Sequence, residues 1–392
     1  MARSTFSVLS SVWRMTTAQA LSMTVMNINI ITTGLAGAIL SPVAWLATLA
    51  LSLQFVATMS ATLPVSLLMS RFGRRPIFLA GAFLSMCAAL TQAYAVYSGH
   101  FILFCVGAGL LGVGHAIAQF YRYAAADIVV LEDKSKAVSL ALVGGLVAAI
   151  FGPEISYRLI GVVDGALYTG CFIGAALVQC LALPILVGMP KLAVAAGINR
   201  GRPMSAFLRL PAFRLALCSA ALGYAVMSFL MTAAPLQIVN VSLLGEVSNA
   251  RVIQWHVIAM FAPSFFTGSL ISRFGVRYVM SAGLVFYLAG IIMALTGLQF
   301  WYYFATLFFV GLGWNFLYIA GTSLITLVAE PEERGRVQGV TDMIVFTAVA
   351  CASLSAGVIH TISGWQIMIY VALLPISIIG LVIAMTRANS LP

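Results

Sequence analysis

Long apolar runs alternate with short polar breaks along the whole chain. Twelve runs are long enough to cross a bilayer as helices, at 15–38, 42–69, 76–97, 101–126, 136–158, 165–188, 211–241, 250–271, 276–297, 300–328, 336–361 and 365–386. Each crossing needs about 20 residues. Gly, Pro or clustered charge marks the breaks, as at Ser41-Pro42, Ser98-Gly99-His100, Glu132-Asp-Lys-Ser-Lys136 and Glu330-Pro-Glu-Glu-Arg-Gly-Arg336. The longest connection, at about 189–210, separates six runs from six. The pattern predicts an all-α membrane protein of twelve transmembrane helices, with one six-helix bundle over 1–188 and a second over 211–392.

Composition sharpens this picture. Hydrophobic residues make up 62% of the chain and charged residues 8%, against about 25% charged in a soluble domain. A water-soluble fold is excluded, and the lipid bilayer is the expected solvent. The net charge of +10 does not imply nucleic acid. With both termini placed in the cytoplasm, every Lys and Arg except Arg122, Arg158 and Arg251 falls on the inner side, as the positive-inside rule requires. A multi-pass protein of the plasma (bacterial inner) membrane is expected. The 6 cysteines lie inside apolar runs without pairing or metal-ligand spacing, so no metal is expected. No H-E-x-x-H, C-x-x-C, G-x-S-x-G or phosphate loop occurs, so neither an enzyme nor a cofactor is expected. Ala18-Gln-Ala20 lies at the start of the first run instead of following it, which argues against a cleaved signal peptide.

The chain also repeats itself. Ser70-Arg-Phe-Gly-Arg-Arg75 returns as Ser272-Arg-Phe-Gly-Val-Arg277, Gly112 and Gly114 return as Gly311 and Gly313, and Asp133-Lys-Ser-Lys136 returns as Glu333-Arg-Gly-Arg336. Two six-helix repeats follow, a design that places the substrate path at the repeat interface near the bilayer midplane. With twelve spans as six and six, a basic central loop and this loop motif, the chain resembles the major facilitator superfamily along essentially its whole length. That family's loop typically reads G-x-x-x-D-R-x-G-R-R/K. Both copies here carry Ser (Ser70, Ser272) in place of Asp, and the second opens with Gly268.

The resemblance implies alternating access, a cavity lined by helices 1, 4, 7 and 10, and loop arginines that latch the inner helix ends together. Arg71, Arg74, Arg273 and Arg277 are the candidate latch cations, with Asp127 and Asp342 as acceptors; anchoring to anionic headgroups is the competing role. Gly73 and Gly275 are expected to permit the tight turns.

Ionisable and amide groups at membrane depth are costly, which marks them as functional candidates. His115, Gln119 and Arg122 share one helical face. In the second repeat Asn315 and Tyr318 share a face, and Tyr224, Ser228 and Thr232 recur at steps of four. Asn29 shares a face with Ser22 and Thr33, while His256 aligns with Gln54 of the first repeat. The candidate substrate-binding set is therefore Asn29, His115, Gln119, Arg122, Tyr224, His256, Asn315 and Tyr318. Blander roles compete: snorkelling for Arg122, helix packing for Asn29, a neutral hydrogen-bonded ring for His256. Phe120, Tyr121, Tyr123, Trp255, Trp301 and Trp314 offer rings for stacking or for the membrane interface.

Glu154 is the acid placed for proton coupling, together with His256, although Arg158 at i+4 offers it a structural ion pair. Small residues at 144, 148 and 152 invite a close helix neighbour. The Gly152-Pro153 ending resembles the family's antiporter motif without its downstream Gly-Gly, and tips the expected direction towards efflux. A cavity poor in acids favours a small neutral or anionic organic solute, moved with protons. The alternatives are an uptake permease for an aromatic metabolite or vitamin, and a multidrug or cation exporter. A single chain holding both repeats is expected to act as a monomer.

Overall fold

A bilayer interior offers a backbone no hydrogen-bond partner, so each apolar run must satisfy its own N–H and C=O groups. The computed structural model describes residues 2–129, 134–189, 202–330 and 333–386, and among the described residues every regular element is helical. The chain divides into two compact units, Met1–Ala196 and Gly197–Pro392. The joining segment expected at 189–210 straddles that boundary, and its residues 190–201 lie outside the described residues.

The first unit contains α1 (Ala2–Leu40), α2 (Leu49–Phe72), α3 (Arg74–Ser98), α4 (Phe101–Ala118), α5 (Tyr121–Ile128), α6 (Lys134–Leu159), α7 (Thr169–Cys180) and α8 (Ala182–Val187). The second contains α9 (Met204–Arg209), α10 (Pro211–Leu236), α11 (Gly245–Phe261), α12 (Ser264–Phe274), α13 (Val276–Thr296), α14 (Phe300–Val328) and α15 (Arg334–Met385). Among the described residues nine helices are long and apolar enough to cross a bilayer, ten with α11 and α12 taken as one bent span. The last of these is two passes, because Gly364 interrupts α15 with φ 77° and ψ 178°. With α6 added, the twelve expected passes are present.

Several runs are less regular than their hydropathy suggests. The run at 101–126 breaks at Gln119-Phe120 between α4 and α5. There Tyr121 turns inward and meets Phe78 edge-on, ring centroids 4.7 Å apart. The run at 250–271 bends by 41° between α11 and α12, where Pro263 has no N–H to give the helix. After Pro235, α10 ends in a π-helical turn, Gln237–Val241.

The sequence repeat reappears as repeated packing. In the first unit α1 packs on α6, and α4 receives α2 and α3; in the second, α10 packs on α15, and α14 receives α11 and α13. Gly112 lies against the Gln54 backbone and Gly114 against Ser85, while Gly311 lies against the His256 backbone and Gly313 against Gly283. A Cβ at any of the four would overlap its neighbour. The paired glycines therefore mark where helices close to backbone distance.

Candidate functional site

Both polar hexapeptides fold into one and the same turn. Gly73 has φ 84° and ψ 162°, Gly275 has φ 85° and ψ 157°. Each donates its N–H one turn back, to Met69 O at 2.9 Å and to Ile271 O at 2.8 Å. A Cβ at either position would meet nothing within 4 Å, so the backbone angle alone demands glycine. The Arg71 guanidinium lies 5.3 Å from the Phe72 ring centroid, and Arg273 lies 5.3 Å from that of Phe274, close enough for cation–π attraction. Arg74, Arg277 and Asp342 are half-buried. Asp127 lies on α5, with its side chain outside the described residues.

Three of the expected substrate contacts are engaged with helices of their own unit. Asn29 is fully buried; its Nδ2 donates to Gln92 Oε1 on α3 at 2.9 Å, and Thr33 donates to its Oδ1. His256 is fully buried with Nδ1 2.6 Å from Leu307 O. A carbonyl only accepts, so Nδ1 carries the proton and Nε2 is left as the acceptor. Asn315 bridges the broken helix: Nδ2 donates to Met260 O at 2.6 Å and to Ser264 Oγ at 2.7 Å, and Thr267 donates to Oδ1 at 2.7 Å. Single-sequence periodicity separates the faces of a helix but does not say which face meets a neighbour.

In the first unit, His115 Nε2 and Gln119 Nε2 lie 2.8 Å apart. The amide only donates from nitrogen, so His115 Nε2 accepts. Arg122 sits on the far side of the α4–α5 break, half-buried. Beside them is a small, largely apolar cavity whose polar lining comes from Ser22, Gln54, Ser85, His115 and Gln179, roomy enough for about one water molecule.

In the second unit the structure brings Tyr224 and Tyr318 together with Trp314. Trp314 and Tyr318, one turn apart on α14, stack at 4.9 Å and 12°. Tyr224 on α10 meets Trp314 edge-on at 5.2 Å and Tyr318 edge-on at 5.4 Å. Phe346 of α15 adds a fourth ring, 6.1 Å from Tyr224.

Glu154 and Arg158 form the ion pair that their spacing offers, with Arg158 Nε donating to Glu154 Oε1 at 2.7 Å. Two polar groupings escaped the sequence reading. At the π-helical turn, the Gln237 amide nitrogen donates to the Tyr303 hydroxyl at 2.9 Å, and its Oε1 accepts from His360 Nε2 at 2.9 Å. Ser242 Oγ lies 2.7 Å from that same hydroxyl. A glutamine two residues past a proline, inside an apolar run, was the available signal. The second grouping lies ahead of α9, where the Arg202 backbone N–H reaches Glu333 Oε1 at 2.7 Å and its Nη2 reaches Oε2 at 2.7 Å. Arg336 donates to Arg202 O, and Arg202 lies 4.6 Å over the Phe207 ring. These hydrogen bonds hold the Glu333 carboxyl well below the usual carboxylate range, at about 2.

Comparison with known proteins places this geometry. A family model described as Major Facilitator Superfamily matches residues 217–390. The riboflavin transporter RfnT of Brucella anthropi is 39% identical over 357 residues, covering 90% of this chain and 89% of that protein. An uncharacterized MFS-type transporter of Bacillus subtilis, YdeG, is 29% identical over 321 residues, 76% of this chain and 74% of its own. Among solved structures, the nucleoside transporter NupG aligns with a TM-score of 0.73 at 12% identity, over 96% of this chain and 100% of that one. At that identity the likeness speaks for the fold.

Proposed function

Because this chain belongs to the major facilitator superfamily, we propose that it is a secondary transporter importing a flat vitamin of the riboflavin kind. It would do so across a bacterial inner membrane, by alternating access, as a monomer with both termini in the cytoplasm. The observation that carries the proposal is the 39% identity to a riboflavin transporter over 90% of the chain. Riboflavin is neutral, which suits a chain whose candidate site residues include Arg122 and His115 but no buried acid on α1. Import takes the place of the efflux direction expected from Gly152-Pro153. Gly152 packs against Asn27 of α1, a packing duty independent of direction, and a vitamin is a solute that a cell needs to gather.

In this proposal His115, Gln119, Arg122, Tyr224 and Tyr318 touch the substrate, while Asn29 and Asn315 hold helices together. The coupling proton is assigned to Glu154 or His256. Arg71, Arg74, Arg273 and Arg277 close the inner end with Asp127 and Asp342.

The test is uptake of radiolabelled riboflavin by bacterial cells that lack a flavin importer of their own. Accumulation above the empty-vector level, reduced by Arg122→Ala, is the expected result. Vector-level accumulation, with the protein shown to be in the membrane, overturns the proposal. Export of lipophilic cations by the same cells would put a multidrug exporter in its place.

A further inference from the structure

Most aromatic side chains of the second unit have an ordinary explanation. Trp255 and Trp301 are exposed, as in an interfacial belt, and Phe304, Phe308 and Phe309 pack on one another. Trp365 is buried with its own indole N–H unpartnered among the described residues, but it meets edge-on a single ring, Tyr303, whose hydroxyl already has partners. The cluster of Tyr224, Trp314, Tyr318 and Phe346 differs in its ring stack and in carrying two unpartnered donors instead of one. It joins three helices through a nearly parallel Trp–Tyr stack whose outer member, Tyr318, keeps exposed surface. Trp314 is only 5% exposed, yet its indole N–H has no partner among the described residues. The Ser228 hydroxyl, one turn beyond Tyr224 on α10, is buried and equally without a partner.

Buried donors are paired in the great majority of cases, and leaving one unpaired costs about 1–3 kcal/mol. Two such donors beside a set of stacked rings match the needs of one ligand chemistry. A planar heteroaromatic packs against such rings, and carbonyl or ring-nitrogen acceptors on its edge take up the N–H and the hydroxyl.

We propose that Tyr224, Trp314 and Tyr318 form the subsite for the substrate's flat ring, with Trp314 Nε1–H and Ser228 as donors to acceptors on its edge. The inference rests on the uptake function proposed above and assigns the ring, as distinct from any sugar-like chain, to the second unit. Stacking on an aromatic side chain is worth about 1–3 kcal/mol per base in nucleic-acid complexes, so loss of one ring is expected to weaken binding by roughly tenfold.

The experiment measures binding to the purified full-length protein by ligand-fluorescence quenching and by thermal shift. The probes are riboflavin, lumichrome (the ring without its chain), ribitol (the chain without its ring) and a pterin. The variants are Trp314→Phe, Trp314→Leu and Tyr318→Leu, each first checked for cooperative unfolding. Lumichrome and riboflavin should weaken together, roughly tenfold, in both Leu variants. Trp314→Phe keeps a ring but loses the N–H, so it should fall between wild type and Trp314→Leu. Should Trp314→Leu fail to fold, the half-buried Tyr318→Leu and the conservative Phe variant still decide the matter. Flavin binding within twofold of wild type in the folded variants sinks the subsite and leaves flavin transport standing. Binding of the pterin but neither flavin, lost in the Leu variants, keeps the subsite and removes riboflavin. If wild type binds none of the ring compounds, both are wrong.

Discussion

Asn315 shows what an amide inside a membrane helix can be for. Its side chain ties Met260 O, Ser264 and Thr267 across the bend between α11 and α12. Those groups lie where Pro263 interrupts the helix ladder, so the amide does part of the ladder's work. Asn315→Leu is expected to cost about 1–3 kcal/mol, since polar groups are left buried and unpaired, and to lower the unfolding temperature in detergent. An unchanged unfolding temperature would show that the bend does not depend on this residue. Asn29, His256 and Asn315 were legible as polar groups out of place in apolar runs. What each was bonded to was not legible, because a neighbouring helix and an open cavity both welcome a polar face. Tyr224 and Tyr318 could be read further, since each recurs on a face with other polar residues.

Among the helices and turns, the duplicated hexapeptide was the most legible element and the helix interruptions the least. A Gly in a polar break announces a turn, and the angles at Gly73 and Gly275 agree within a few degrees. The gap at Gln119-Phe120 carries neither Gly nor Pro, and hydrogen bonds from Gln119 and Ala124 run on through it. Hydropathy cannot register so slight a change. The second hexapeptide allows an internal comparison between two glycines of one motif. Gly275 sits at φ 85° in a region open almost only to glycine, so Gly275→Ala should destabilise by about 1–3 kcal/mol. Gly268 lies within α12 with open space where a Cβ would go, so Gly268→Ala should stabilise by about 0.4–1 kcal/mol. Thermal unfolding of the two variants checks both signs, and equal effects would refute the backbone explanation.

For the molecule as a whole, two related bundles were legible because lipid imposes the same rule on every span. The fastening of the joining segment was not, since Arg202 and Glu333 are 131 positions apart and nothing in either local pattern links them. Their clasp makes stability depend on acid in a definite direction. The Glu333 carboxyl is held near 2 instead of its usual 4.5, so the clasp contributes fully above the ordinary carboxylate range. Its contribution fades as the pH falls from about 4.5 towards 2. The difference in unfolding temperature between wild type and Glu333→Gln should be flat above about pH 5 and shrink below it. A difference that grows on acidification would contradict this assignment.

Gly364 carries a practical consequence of its own. The last two passes meet at that single residue, and the chain turns back without a loop. An inserted epitope there would replace a one-residue turn, and a protease would find no slack backbone to cut. A reporter for that end of the last helix pair therefore has to be a single side chain. Ile362, three-quarters exposed, is the natural place for an engineered thiol and a membrane-impermeant reagent. Whether that thiol reacts in intact cells or only in inverted vesicles tells which way the protein faces.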